Sequence, residues 1–181
     1  AGGAYRSVDA WSRQPWYLGG WLRSLHRYAA DAFVLLTAED ADGFRRAGMN
    51  NTSWLPNALS FLPEEPAPLA DRTVTYLGRL SAEKGPRFLV EAWSRVVDAH
   101  PGWRLQFVGD GPQTEQIRAQ AKGIARIEFR DRTEDPESVL LASDVVVLPS
   151  LVEGFPLVLA EAMACGRAVV VSAASSCARF S

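Results

Sequence analysis

The chain has 181 residues, 48% hydrophobic and 22% charged, which is close to the soluble globular average and excludes an intrinsically disordered polypeptide. A formal charge of −2 excludes a general polyanion binder, so no nucleic-acid partner is expected. No uncharged apolar stretch reaches the ~18–20 residues that span a bilayer, no basic-then-apolar leader opens the sequence, and two cysteines with two histidines make neither a disulfide framework nor a metal cluster; a cytoplasmic protein is expected.

Residues 1–30 concentrate Trp11, Trp16, Tyr17, Trp21 and Tyr28 beside Arg13, Arg23 and Arg27. From Pro15, the positions Leu18, Trp21, Leu22, Leu25 and Tyr28 recur at helical spacing. A basic, aromatic helix at residues 11–28 could contact an anionic membrane surface from the cytoplasmic side; packing on protein outside this sequence is the commoner use of such a face. Ala32–Leu36 then reads as a short strand, and Thr37 with Asp40 three residues on predicts a capped helix over 38–47. Thr52–Leu55 is another short strand, and the proline-bearing stretch 62–71 reads as a linker.

From residue 72 the pattern is regular. Strands are expected at Thr73–Leu77, Arg104–Val108, Arg126–Phe129, Asp144–Leu148 and Ala168–Val171. Helices are expected from Pro86 to the stop at His100-Pro101-Gly102, and at Pro112–Lys122, Asp135–Ala142 and Pro156–Cys165. Apolar strands alternating with helices imply an α/β, Rossmann-like parallel sheet with helices on both faces. Asp110 is expected to cap the helix entering at Pro112, Asp144 to cap or orient a neighbouring loop, and Cys165 to be a small buried residue. Residues 1–61 look like the tail of a preceding α/β domain, and the chain stops shortly after its last regular strand. It therefore reads as a fragment: a remnant domain at 1–61, a linker at 62–71, and a second domain at 72–181 that is incomplete at its C-terminus.

In an open parallel sheet, ligands sit beyond the carboxyl ends of the strands. That rule selects Arg79 and Lys84 after the first regular strand, Gly109-Asp110-Gly111 after the second, Arg130, Asp131 and Arg132 after the third, and Ser150 and Glu153 after the fourth. Cations and a helix N-terminus converging on one edge make an anion site, suited to phosphate. Glu153 and Glu161 lie eight residues apart, in the loop and inside the following helix. Pro156 to Glu161 spans roughly 7.5 Å of helical rise, so the carboxylates can meet different parts of one ligand, and paired hydroxyls suit them. Glu83 could instead pair with Arg79 or Lys84.

The element from Glu153 through Gly154, Phe155, Pro156 and Leu157 to Glu161 and Gly166 resembles the E-x7-E element of retaining GT-B glycosyltransferases of family 4, the glycosyl transferases of group 1. The loop GRLSAEKG at 78–85 is similar to that family's diphosphate loop, and Val108–Pro112, Ser143-Asp144 and Leu148–Ser150 follow its pattern in order. The segments Ala30–Thr37 and Pro56-Asn57 resemble the end of its N-terminal domain. The resemblance implies a metal-independent hexosyltransferase that uses a nucleotide-diphosphate sugar with UDP or GDP, retains anomeric configuration, and acts on a glycan, lipid or polyol acceptor in polysaccharide or glycolipid synthesis. It implies that Arg79 and Lys84 hold the diphosphate, Glu161 the ribose hydroxyls and Glu153 the donor sugar. Backbone amides from Gly154 to Leu157 would add hydrogen bonds, Gly109 would line the donor site, and Arg130 would sit at the base pocket. No cofactor beyond the donor is implied.

The acceptor side's glycine-rich loop and histidine are missing from this sequence, and Ala173-Ala174-Ser175-Ser176 stands where the family has a glycine-rich turn. The fragment is expected to be inactive by itself. A nucleotide-sugar epimerase or a phosphorylase on the same fold, or a non-catalytic doubly wound binding module, remains the alternative. A receiver-like module would need acids after the first strand, where Gly78-Arg79 stands.

Overall fold

The computed structural model describes residues 30–65 and 68–173. The expected aromatic helix at 11–28, Cys177 and the turn at 174–176 lie outside the described residues. The chain divides into two compact units between Ala58 and Leu59.

In the first unit, β1 (Phe33–Leu35) pairs parallel with β2 (Thr52–Trp54), and α1 (Ala38–Arg46) connects them. The Thr37 hydroxyl accepts from the Asp40 amide at 3.1 Å and donates to the Asp40 carboxylate at 2.8 Å. This reciprocal cap satisfies a donor that the first turn leaves open. Phe33 meets Phe44 at 5.3 Å between ring centroids, so the strand packs on its own crossover helix.

The second unit is a five-stranded sheet in the order β5-β4-β3-β6-β7, every pair parallel. Its elements are β3 (Thr73–Leu77), α2 (Pro86–Val96), β4 (Arg104–Val108), α3 (Thr114–Ala121), β5 (Ile127–Arg130), α4 (Pro136–Leu141), β6 (Val145–Leu148), α5 (Leu157–Ala164) and β7 (Ala168–Val171). Two apolar layers cover its faces. Leu89, Val90 and Trp93 of α2 with Ile117 of α3 close over Tyr76, Leu105 and Phe107. Leu140 of α4 with Leu159, Ala162 and Cys165 of α5 and its end close over Val146 and Leu148, and Phe61 packs against this second layer. The expected α/β architecture, with helices on both faces, is present.

Expectations shift by a residue or two at several element ends. The helix expected at Pro112 begins at Thr114, with Gln113 as its first flanking residue and no side-chain cap bond. Asp110 caps nothing there; the Thr114 hydroxyl instead bonds Gly111, accepting from its amide and donating to its carbonyl. β5 starts at Ile127 because Arg126 has φ +58°, outside the extended region. Pro156 and Cys165 flank α5 rather than belong to it.

Buried polar groups lock the sheet. The Thr73 amide donates to the Asp144 carboxylate at 2.8 Å, tying the start of β3 to the start of β6. Arg167, 5% exposed, donates to the carbonyls of Cys165 at 2.8 Å and Ser143 at 2.9 Å. Those carbonyls stand at the C-terminal ends of α5 and α4, where helix dipoles favour a cation. Arg167→Leu leaves buried carbonyls without donors, so a loss of about 1–3 kcal/mol is expected. Urea unfolding of the two proteins checks this: the midpoint should fall with an unchanged slope.

Candidate functional site

The strand order reverses between β3 and β6: from β3 the chain steps outward to β4 and β5, then returns to β6 and β7 on the other side. The loops after β3 and β6 therefore part at the carboxyl edge, where open α/β sheets bind ligands. The loop Gly78–Gly85 is held from both sides. The Leu80 amide donates to the Asp110 carbonyl at 2.8 Å and the Gln113 amide to the Leu80 carbonyl at 2.9 Å, joining it to the loop after β4. The Leu151 amide donates to the Glu83 carbonyl at 2.8 Å, joining it to the loop after β6.

Two glycines make this approach possible. Gly109 has φ +132°, and a Cβ there would stand 2.2 Å from the Gly78 carbonyl oxygen. Gly85 has φ +64°, and its Cβ would stand 2.3 Å from the Pro149 carbonyl oxygen. Both positions combine a backbone region that L side chains avoid with a contact no side chain can enter.

The clamped loop presents its cations in two places. Arg79, at its first end, lines a cleft of about 800 Å³ together with Gly78, Gly109, Asp110, Arg132 and Thr133. Lys84, at the other end, donates to both oxygens of Glu153, at 2.7 and 2.8 Å. The Ser150 hydroxyl adds a third bond to Glu153, at 2.7 Å. Glu83 stays out of this cluster. It accepts from the Ser81 hydroxyl at 2.6 Å, and that bond, with one from its own amide, holds its carboxyl below the usual carboxylate range. Tyr76 lies beneath the loop and donates its hydroxyl to the Arg79 carbonyl at 2.6 Å. Burial, and then the charges of Glu153 and Glu83, push its phenol well above the ordinary range, so it remains a neutral donor.

Of the residues singled out by sequence, Arg79 and Gly109 meet in the cleft, and Lys84 and Glu153 meet in the ion pair. Arg130 ends β5 with an exposed side chain, and the cleft is lined instead by Arg132 and Thr133, which follow it. Glu161 sits within α5 at 5% exposure, and no hydrogen bond to its carboxylate is formed among the described residues. Gly154 and Phe155 are half-buried in the turn before α5, and Leu157 is the first residue of the helix. Pro156 has no N–H, so backbone donors in that turn are limited to its neighbours.

Sequence reasoning placed Asp110 and Ser150 at the carboxyl edge, but it read Asp110 as a cap rather than a cleft residue, gave Ser150 no bond to Glu153, and missed Tyr76 as the support of the Arg79 carbonyl. The cue for Ser150 was its place three residues before Glu153 in a loop ahead of a helix. Among the described residues, no group of three or more His, Cys, Asp or Glu is placed to hold a metal ion, and no helix is long and apolar enough to cross a membrane.

The family model described as glycosyl transferases group 1 matches residues 71–180. An uncharacterized glycosyltransferase of Haemophilus influenzae is 33% identical over 158 residues, covering 82% of this chain and 45% of the relative. A GDP-mannose-dependent alpha-(1-6)-phosphatidylinositol dimannoside mannosyltransferase of Mycobacterium tuberculosis is 31% identical over 160 residues, covering 81% of this chain and 42% of the relative. The chain thus spans less than half the length of these two relatives. Among solved structures, HepE of Anabaena in complex with UDP and glucose superposes with a TM-score of 0.74 at 22% identity, over 98% of this chain and 52% of HepE. That likeness shows the C-terminal half of a GT-B fold.

Tyr76→Phe removes the bond that supports the Arg79 carbonyl, and at neutral pH a loss of about 1 kcal/mol is expected. The folded phenol titrates above the unfolded one, so its stabilisation is complete below the unfolded value of about 10 and is lost as pH rises beyond it. The gap between wild type and Tyr76→Phe should therefore shrink in the alkaline limb of a stability-against-pH series, and a gap independent of pH would refute the assignment.

Proposed function

The chain belongs to the glycosyl transferases of group 1, and from that membership we propose that residues 72–181 form the donor half-site of an enzyme that transfers a sugar from a nucleotide-diphosphate sugar. Residues 1–61 are in this reading the remnant of the acceptor-side domain, and 62–71 the linker. The observation that carries it is the convergence of Arg79, Lys84, Glu153 and an 800 Å³ cleft on the carboxyl edge of the sheet where the strand order reverses. A nucleoside diphosphate has an anionic centre between a flat base and a sugar, and the loops of this edge carry cations, a cleft and the carboxylate of Glu153.

Arg79 and Lys84 take the diphosphate. As the bond from the anomeric carbon to the phosphate oxygen breaks, negative charge grows on the departing diphosphate. Two cations carried on a clamped loop stabilise that charge. The base lies in the cleft, among Gly109, Asp110, Arg132 and Thr133. Glu161 receives the ribose hydroxyls: a buried carboxylate is costly unless donors reach it, and two vicinal hydroxyls supply them. Glu153 receives hydroxyls of the donor sugar, with amides of Gly154, Phe155 and Leu157 alongside. Transfer proceeds with retention and without a divalent metal, the cationic side chains supplying the counter-charge. The acceptor, a glycan, lipid or polyol, would be held by the part of the relatives that this chain does not span. Contact with a membrane through residues 11–28 would bring a lipid acceptor close.

The first test is a thermal-shift series with UDP, GDP and ADP, with and without Mg²⁺. A ligand that binds only the folded state adds about 2.7 kcal/mol at a hundredfold excess over its Kd. Stabilisation by one diphosphate, unchanged by Mg²⁺, is expected. Glu161→Ala should remove binding of nucleosides and nucleotides alike. Arg79→Ala should weaken diphosphates by about 2–4 kcal/mol, the scale of truncating one partner of a desolvated charge pair, while sparing nucleosides. Unchanged affinity in both variants would sink the assignment.

A further inference from the structure

Lys84 and Glu153 neutralise one another in the structure, and the Glu153 carboxylate also accepts from Ser150. The two ends of the pair are unequally served by water: the Glu153 side chain is 8% exposed and that of Lys84 is 33% exposed. An ammonium has three protons but a single charge, so it cannot hold a carboxylate through both oxygens and a diphosphate with equal strength. A bare nucleoside diphosphate that draws Lys84 to itself takes a cation away from a mostly buried carboxylate, and it brings further negative charge toward that carboxylate. Both effects oppose binding. A nucleotide sugar alters the balance, because sugar hydroxyls are donors and an ionised carboxylate is purely an acceptor.

Resting on the reading above, in which Lys84 meets the diphosphate and Glu153 the sugar, we propose that the Lys84–Glu153 pair is a specificity device that makes the site favour the sugar-bearing donor over the bare diphosphate, with Ser150 as the residue that keeps Glu153 in position when Lys84 is drawn away. Ser150 is suited to this. It is 1% exposed, and it lies between Pro149, whose carbonyl oxygen abuts Gly85, and Leu151, whose amide is bonded to Glu83. The backbone that carries its hydroxyl is thus held on both sides, whichever partner the ammonium has. The same device promotes product release: once the sugar has left, Glu153 regains its claim on Lys84 and the diphosphate is left with one cation fewer.

The test compares dissociation constants by calorimetry for UDP against UDP-glucose and GDP against GDP-mannose, in wild type, Glu153→Gln and Ser150→Ala. Glu153→Gln keeps the shape and removes the charge. It should tighten the bare diphosphate by about three- to tenfold, the scale of a partly exposed ion pair, without tightening the nucleotide sugar. Ser150→Ala should weaken the nucleotide sugar and leave the diphosphate unchanged, whereas a merely structural role would weaken both by the same factor. An unchanged ratio of the two constants in Glu153→Gln overturns the proposal. A second arm needs no nucleotide: a double-mutant cycle of Lys84→Gln and Glu153→Gln read by thermal unfolding. Additive effects there overturn the pair while leaving the donor-site reading intact. Wild-type protein that binds none of the four probes overturns the donor-site reading, and the specificity device with it.

Discussion

The contact on which the rest of the site depends is backbone against backbone: the loop Gly78–Gly85 lies pressed between the loops after β4 and β6. On one side Gly109 and Gly111 approach the carbonyls of Gly78 and Leu80 closer than any Cβ allows, and two amide bonds tie Leu80 to Asp110 and Gln113. On the other, Gly85 abuts Pro149 and Glu83 accepts from Leu151. Three loops that would each be mobile alone are thereby joined into one ledge along the carboxyl edge. Every charged group of the proposed donor site except Glu161 and Arg132 stands on this ledge. The backbone positions of Arg79 and Lys84 hold their separation because the chain between them is clamped on both sides, so what an anion must rearrange is the Lys84 side chain and its bond to Glu153.

The ledge also explains the electrostatics beneath it. Glu83 lies between the two cations in sequence, yet it is turned to Ser81, whose hydroxyl keeps it ionised without consuming either cation. Glu153 is left as the carboxylate that Lys84 meets, and Tyr76 below is kept protonated by burial and by the two nearby carboxylates. A neutral phenol can donate to the Arg79 carbonyl, which an ionised one could not. The site thus mixes one cation turned to a cleft, one cation in an ion pair, and a neutral post that holds the backbone between them.

Much of this frame was legible in the sequence because it rests on short-range signals. The alternation of β-branched runs with helical stripes located all five strands of the sheet, and the Thr37–Asp40 cap was readable from spacing. What failed was local competition. Asp110 has the chemistry of a cap, but the helix begins four residues on, at Thr114, with no side-chain cap bond, and the Thr114 hydroxyl closes the turn on Gly111 instead. Arg130 stands at the end of its strand, as expected, but as its last paired residue, opposite Val108, rather than the first of the loop. The long-range contacts carried no sequence signal at all. Lys84 and Glu153 are 69 positions apart, and nothing along the chain distinguishes their pairing from one of Lys84 with Glu83 beside it. Arg167 was not singled out at all, because only the convergence of two helix ends makes it a buried donor.

That separation has a consequence for where binding resides. Lys84 follows β3 and Glu153 follows β6, so their encounter requires β3 and β6 to be paired, a contact that the Thr73–Asp144 bond anchors at the opposite end of both strands. The cleft likewise needs β3, β4 and β5 in register, since Leu77, Val108 and Arg130 bring its three loops to one level. All of these strands belong to the unit that begins at Leu59. Every residue proposed to touch the nucleotide sugar is therefore positioned by one sheet and its own helices, and donor binding is a property that this unit can possess without the other. Transfer is different in kind, because it requires a second reactant brought against the anomeric carbon, and proximity of that sort comes only from a partner surface. In the proposed reading binding and transfer are thus separable: the first rests on this one sheet, the second on a surface that brings the acceptor to the anomeric carbon.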